Sequence, residues 1–138
     1  MVIDVQDRLL DELDGLNTGM RTVVGINDLT DSIALIYTGG GGIVREFFDG
    51  RIERQFPLSL HVKSSNQLLA LNTCLPITRH FNELNVLNSH NGSYEFLGST
   101  VEESPILLSI TEQNEHIYGV TIQIKIETKK EFDINGKI

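Results

Sequence analysis

Three groups of residues have types and spacings that could do chemistry. The first is Thr38-Gly39-Gly40-Gly41-Gly42, which invites a phosphate-loop reading. A phosphate loop needs Lys-Ser/Thr after its last glycine and a helix whose N-terminal amides meet the phosphate. Ile43-Val44 follows instead, and the next residues have strand character. The glycines are therefore expected to turn the chain at the end of a sheet. The second group is His61, His80, His90 and His116 with the single Cys74. No two of these histidines have the i, i+4 spacing that places two ligands on one helical face, and no cysteine pair completes a thiolate set. Cys74 falls on the apolar stripe of a predicted helix, where a thiol packs in the core rather than attacks. The third group is Glu102 and Glu103. Neighbours in a strand point to opposite faces, which separates them as an acid and base pair. No Gly-x-Ser-x-Gly pattern occurs. The reading assigns no catalytic residue, no metal ligand and no cofactor, and the chain is not expected to be an enzyme.

The whole composition points the same way. One domain fits 138 residues, and a chain of that length can bury a core of its own. Eleven Lys and Arg against nineteen Asp and Glu give a net charge of −8. Such a surface repels phosphate backbones, so broad nonspecific nucleic-acid binding is not expected. One cysteine excludes an internal disulfide framework. The opening residues, MVIDVQDRLLDELD, lack the basic and apolar regions of a signal peptide, and no run of about 18 apolar residues occurs. A reducing, soluble setting without a membrane is expected, and Asn91-Gly92-Ser93 is then a chance match to the glycosylation pattern.

The elements that must position these residues follow from periodicity. Val5, Leu9, Leu13 and Leu16, with Leu10 beside them, predict an amphipathic helix over about 4–16. Asp4 can cap it, Asp7 suits its N-terminus, and Gly15 and Gly19 mark its end. Its other face carries Asp7, Asp11 and Asp14. Residues 17–31 read as a long extended connection. Strands are expected over 32–37, 43–48 and 51–63, and Asp49-Gly50 is a hairpin signal because both central residues of the tight turn need positive φ. Pro57 cannot donate to a ladder, which predicts an exposed edge or a bulge there. Ser64 and Gln67 form a capping-box pattern opening a second helix. Ala70, Cys74, Ile77, Phe81 and Leu84 form one apolar stripe of it; Leu68, Leu71 and Leu75 form a second, which predicts a helix held between two layers. Pro76 predicts a kink or a restart. Further strands are expected over 93–97, 105–111 and 117–127, with a polar tail after them. The order α-β-β-β-α-β-β-β describes an α+β domain over 1–127 with a tail over 128–138. Its mostly antiparallel sheet carries a long β-hairpin, and its two helices pack on one face.

The hairpin over 43–63 is the feature that this architecture leaves unexplained. Arg45, Glu46, Asp49, Arg51, Glu53 and Arg54 crowd its tip, and Phe47 and Phe48 sit beside the turn. Adjacent phenylalanines in a strand cannot both face the core. An isolated two-stranded ribbon is marginal in water. Two readings stand side by side: an arm that reaches another subunit, or a ribbon folded back on its own sheet.

The ordered landmarks resemble a known family. A short helix leads to a strand ending Ile36-Tyr37-Thr38-Gly39-Gly40-Gly41-Gly42; a hairpin with Asp49-Gly50 follows. The next strand ends Phe56-Pro57-Leu58-Ser59-Leu60-His61-Val62-Lys63, a helix opens Ser65-Asn66-Gln67, and Asn91-Gly92-Ser93 comes later. This pattern, over most of 1–127, resembles the tail terminator proteins of long-tailed bacteriophages, often labelled minor capsid proteins. The resemblance implies a structural virion protein assembled in the host cytoplasm. It implies a six-fold ring on the last ring of the tail tube, which stops tube growth and supplies the surface that joins tail to head. The implied partners are further copies of the chain, the tail tube protein and a head–tail connector or stopper. DNA would pass through the bore without specific binding. In that setting Arg45, Phe47, Phe48, Asp49, Arg51 and Arg54 are expected at a subunit or partner interface, and Asp7, Asp11 and Asp14 on the bore. Two alternatives are another head–tail connector, such as a stopper, and a small-ligand-binding α+β domain using Gly39 to Gly42.

Overall fold

The computed structural model describes residues 3–27, 31–37 and 42–129, with backbone only for 102–104. The elements run α1 (Val5–Gly15), β1 (Arg21–Val24), β2 (Ser32–Tyr37), β3 (Ile43–Glu46), β4 (Arg51–Ser64), α2 (Gln67–Glu83), β5 (Glu95–Ile110) and β6 (His116–Lys129). Six strands form one sheet, five in the order β1-β2-β4-β6-β5 and β3 paired with β4 off that path. All its pairings are antiparallel except β1 with β2. The architecture is the α+β fold expected from the pattern. The order differs in two places: the 17–31 connection contains β1, and the two strands expected over 93–97 and 105–111 are a single strand, β5. Glycine-loop residues 39–41 and tail residues 130–138 lie outside the described residues, whereas β6 extends to Lys129 with Thr128 buried.

β4 and β6 are the spine, paired from Arg51↔Lys129 to Ser64↔His116. Their alternation explains the core. Phe56, Leu58, Leu60 and Val62 face the same side as Tyr118, Val120, Ile122, Ile124 and Ile126, and that side meets Val5, Leu9 and Leu13 of α1 and Ala70, Cys74, Ile77 and Phe81 of α2. Both helices thus cover one face of the sheet. The other face carries Gln55, Ser59, His61, Thr121 and Gln123, all half-buried.

Several local signals resolve differently from expectation. Asn66, not Ser64, caps α2: its side chain accepts from the Leu69 amide at 3.1 Å. Ser64 is fully buried and instead donates to Asp31 Oδ2 at 3.0 Å. Asp4 precedes α1 but makes no cap bond; its carboxylate is drawn to the 89–93 loop. Asn17, with φ 52, takes the left-handed position after α1. α2 runs through Pro76 as one element, with Pro76 exposed on the side away from the core. The second leucine stripe is not clamped: only Leu71 packs on the core, while Leu68 and Leu75 are exposed. Pro57 lies in a central strand rather than at an exposed edge, opposite Gln123 of β6. β2 pairs with β4 only as far as Tyr37↔Leu58, and β3 takes over at Ile43↔Arg54.

β5 is the edge opposite β3, and its register slips four times along its length, as an edge strand tolerates. Leu108 is the extra residue of one slip and leans over Gly119. A Cβ on Gly119 would sit 2.7 Å from Leu108 Cδ1, so the absent side chain is what lets the edge close on β6.

Candidate functional site at the hairpin end of the sheet

The β3–β4 turn is built on three residues rather than two. The Phe47 amide donates to the Arg51 carbonyl at 2.9 Å and the Gly50 amide to the Phe47 carbonyl at 3.1 Å. Gly50 has φ +92, and Asp49 is not among the residues with positive φ. This is a type I turn closed by a glycine bulge, not the tight Asp-Gly turn expected. The β5–β6 turn repeats the design. The Thr111 amide donates to Glu115 at 2.8 Å and the Asn114 amide to Thr111 at 3.0 Å, and Asn114 (φ 60) stands where Gly50 stands.

Around the first turn the side chains clamp one another. The Asp49 carboxylate accepts from the Arg51 amide at 3.2 Å and from Arg51 Nε at 2.8 Å. The bond from the Arg51 amide, joined by the guanidinium, holds the Asp49 carboxyl below the usual carboxylate range against the opposing effect of desolvation. The Arg51 guanidinium also lies 4.5 Å from the Phe47 ring centroid and reaches Glu127 Oε1 at 3.6 Å. Arg45 stacks over the same ring at 5.9 Å. Phe47 is thereby used internally. Phe48 has no such partner among the described residues and is fully exposed, at 113% of its reference area. Arg54 is half-buried and donates from Nε to Thr128 Oγ1 at 2.9 Å, so it braces the sheet.

The ribbon is not a freestanding two-stranded arm. At the level of Glu53 the sheet is four strands wide, in the cross-strand row Arg45↔Glu53↔Glu127↔Glu95. Of the six hairpin residues named from sequence, the structure presents Arg45, Phe48, Asp49 and Arg51 to solvent, half-buries Phe47 and ties down Arg54. Asp7, Asp11 and Asp14 are exposed on α1, with Asp11 paired to Arg8 at 2.7 Å.

The residues with possible chemistry are scattered. Burial in the core pushes the Cys74 thiol up to about 11. His61 lies on the helix-free face, where burial lowers its pKa. His80 is 3.9 Å from Glu12 between the helices. Among the described residues no three His, Cys, Asp or Glu side chains gather as metal ligands, and no helix is long and apolar enough to cross a membrane. A cavity of about 560 Å³ is a shallow hollow along residues 85–96, lined by residues such as Asn85, Asn88 and Tyr94. Beside it Asp4 accepts from Ser89 Oγ at 2.6 Å, the His90 amide at 2.8 Å and Ser93 Oγ at 3.1 Å, a cluster that pins α1 to the loop. The sequence reading missed this cluster, since its partners lie more than 80 residues from Asp4.

No family model matches the sequence, and no curated protein does. The fold is similar to that of a chain in a solved structure described as the virion of a native gene transfer agent particle. The two share 10% identity at a TM-score of 0.60, over 89% of this chain and 91% of that one. That likeness establishes a shared fold along nearly the whole of both chains.

Proposed function

We propose that this chain is a structural virion protein of a long-tailed phage or phage-like particle, and within that class the tail terminator. In this reading it forms a six-fold ring on the last ring of the tail tube, ends tube polymerisation and offers the joining surface to the head. The observation that carries the proposal is the end-to-end fold likeness to a virion chain. The order of sequence landmarks supports the finer assignment. A protein of this kind works by shape and needs no catalysis, cofactor or metal. Its partners would be further copies of itself, the tube protein and a connector or stopper. The hairpin end, with Phe48 unburied and Arg45 beside it, would serve those contacts.

The net charge of −8 suits a bore through which DNA passes without sticking. The exposed Asp7, Asp11 and Asp14 would contribute to it. Reversing Asp11 and Asp14 to lysine should then slow DNA ejection; unchanged ejection and infectivity would remove α1 from the bore. The assignment as a whole is tested by deleting the gene. Overlong tubes and tailless heads are expected, and normal tail length would refute it. Tails of correct length that never join heads would favour the stopper reading instead.

A further inference from the structure

Two apolar features lie at opposite edges of the sheet, and the described residues leave both exposed. At one edge stands the hairpin tip, with Phe48 and, on β3, Ile43 and Val44 exposed. At the other edge β5 lies beside the flank of α2. Two hydrogen bonds orient that flank: Gln67 Nε2 donates to Tyr118 Oη at 3.0 Å, and the Val101 amide donates to Asn82 Oδ1 at 3.1 Å. At 3.6 residues per turn, Leu68 and Leu75 fall on the same side of the helix as Asn82, the side toward β5. On β5 itself, Leu107 is opposite Tyr118 and Ile110 opposite His116, so both share the helix-covered side of the sheet. The four side chains belong to the two elements that border this edge and define an apolar strip there; their exposures are 65% for Leu68, 49% for Leu75, 43% for Leu107 and 54% for Ile110.

We infer that this strip receives the hairpin tip of a second copy of the chain, with Phe48 as the anchoring side chain. Three observations select that occupant. The strip offers on the order of 350 Å² of apolar surface; a stable interface takes about 800 Å² from each partner, of which a little over half is apolar. The segment Pro105–Thr111 carries no charge, so two chains of net charge −8 can meet there without like charges in apposition. Glu112 is exposed just beyond Ile110, and Arg45 beside the hairpin tip has no carboxylate partner among the described residues, so the rims are complementary. Because knob and strip occupy opposite edges, one copy cannot satisfy itself. The contact is head-to-tail, the kind that builds a ring when the rotation between copies closes. The inference deepens the ring reading above by naming the two surfaces that meet.

The test is disulfide capture with the purified full-length chain. One preparation carries Phe48→Cys and a second carries Leu68→Cys. Both sites are exposed, so folding is undisturbed, and the native Cys74 is buried and out of reach. Mixed under oxidising conditions, the two should form a 48–68 disulfide in excess of either homodimer, and Leu107→Glu in the second chain should abolish it. Homodimers alone, or no cross-link at all, would overturn the inference. The two readings fail separately. Rings seen by electron microscopy without the mixed disulfide would sink the inference and leave the ring standing. A mixed disulfide in a protein whose gene deletion leaves tails normal would do the reverse.

Discussion

The helix-covered body and the hairpin end are built from the same two strands and are held in different ways. In the body, Leu60 of β4 and Val120 of β6 are sealed beneath Cys74, Ile77 and Phe81 of α2. At the far end β4 and β6 stay paired residue for residue to Arg51↔Lys129, yet all four residues of β3, and Phe48 and Asp49 at the tip, are exposed. The hydrogen-bonded ladder outruns the hydrophobic cover. Where the cover stops, order depends on local devices: the Asp49–Arg51 clamp, the Phe47 stack and the left-handed Gly50. A sheet end ordered in this way leaves its large apolar side chain free for another molecule.

The comparison breaks first, if it breaks, at Phe81. Phe81→Ala should cost about 3–5 kcal/mol, because the ring is fully buried and α2 cannot collapse into the space. A urea midpoint implying a loss under about 1 kcal/mol would mean that α2 does not hold the body together. The next effect belongs to the other region. Gly50→Val places a β-branched residue at φ +92 and should cost about 1–2 kcal/mol. Gly50→Asn should cost less than half of that, since Asn114 occupies the equivalent position of the sister turn. Equal losses for both variants would show that the two turns are not the same device.

How far the sequence could be read divides along the same boundary. The body was legible because strong alternation over 117–127 and the 70-74-77-81 stripe report burial directly, and every one of those stripe residues is in the core. β1 was not legible: Arg21–Val24 is four residues long and draws its order from pairing with β2, a tertiary contact that local periodicity does not carry. β5 was split in two because Gly98 and the slips between Val101 and Ile106 interrupt the alternation while the ladder continues. The α2 cap was displaced from Ser64 because the tertiary partner Asp31 claims its hydroxyl. At the hairpin, sequence established that one of two phenylalanines must lack a core partner. It could not say which, since that depends on the cation–π stack of Arg51 on Phe47.

Two titratable groups away from the hairpin end sharpen the contrast. Burial would raise the Asp4 carboxyl, but the bonds from Ser89, the His90 amide and Ser93 outweigh it and lower its pKa from 3.8. A depressed folded-state value means that the contribution is complete above pH 3.8 and disappears as pH falls through the folded value. Asp4→Asn should therefore cost about 1 kcal/mol at pH 7, and the gap to the parent should close in acid. A gap independent of pH would refute the charge-based account. His61 acts more weakly with the same sign. Burial depresses its pKa below 6.5, so the stability tied to its neutral form is present above pH 6.5 and is lost as pH falls through the folded value. His61→Gln should flatten the stability profile over that window, read from denaturation midpoints at stepped pH.

The smallest expected effect on folding is at Phe48, and there the two regions separate most cleanly. The side chain is fully exposed, so Phe48→Ser should leave the unfolding free energy within about 0.5 kcal/mol of the parent. A buried phenylalanine such as Phe81 would lose several times that on truncation, so the pair measures how much of each ring the fold itself uses. If Phe48 serves an intermolecular contact, the same substitution should shift sedimentation of the concentrated protein from assembled species toward the monomer while the urea midpoint of dilute protein stays put. A midpoint shift equivalent to more than about 1 kcal/mol in dilute solution would place Phe48 inside the cooperative unit of its own chain, and the hairpin end would then be body rather than contact surface.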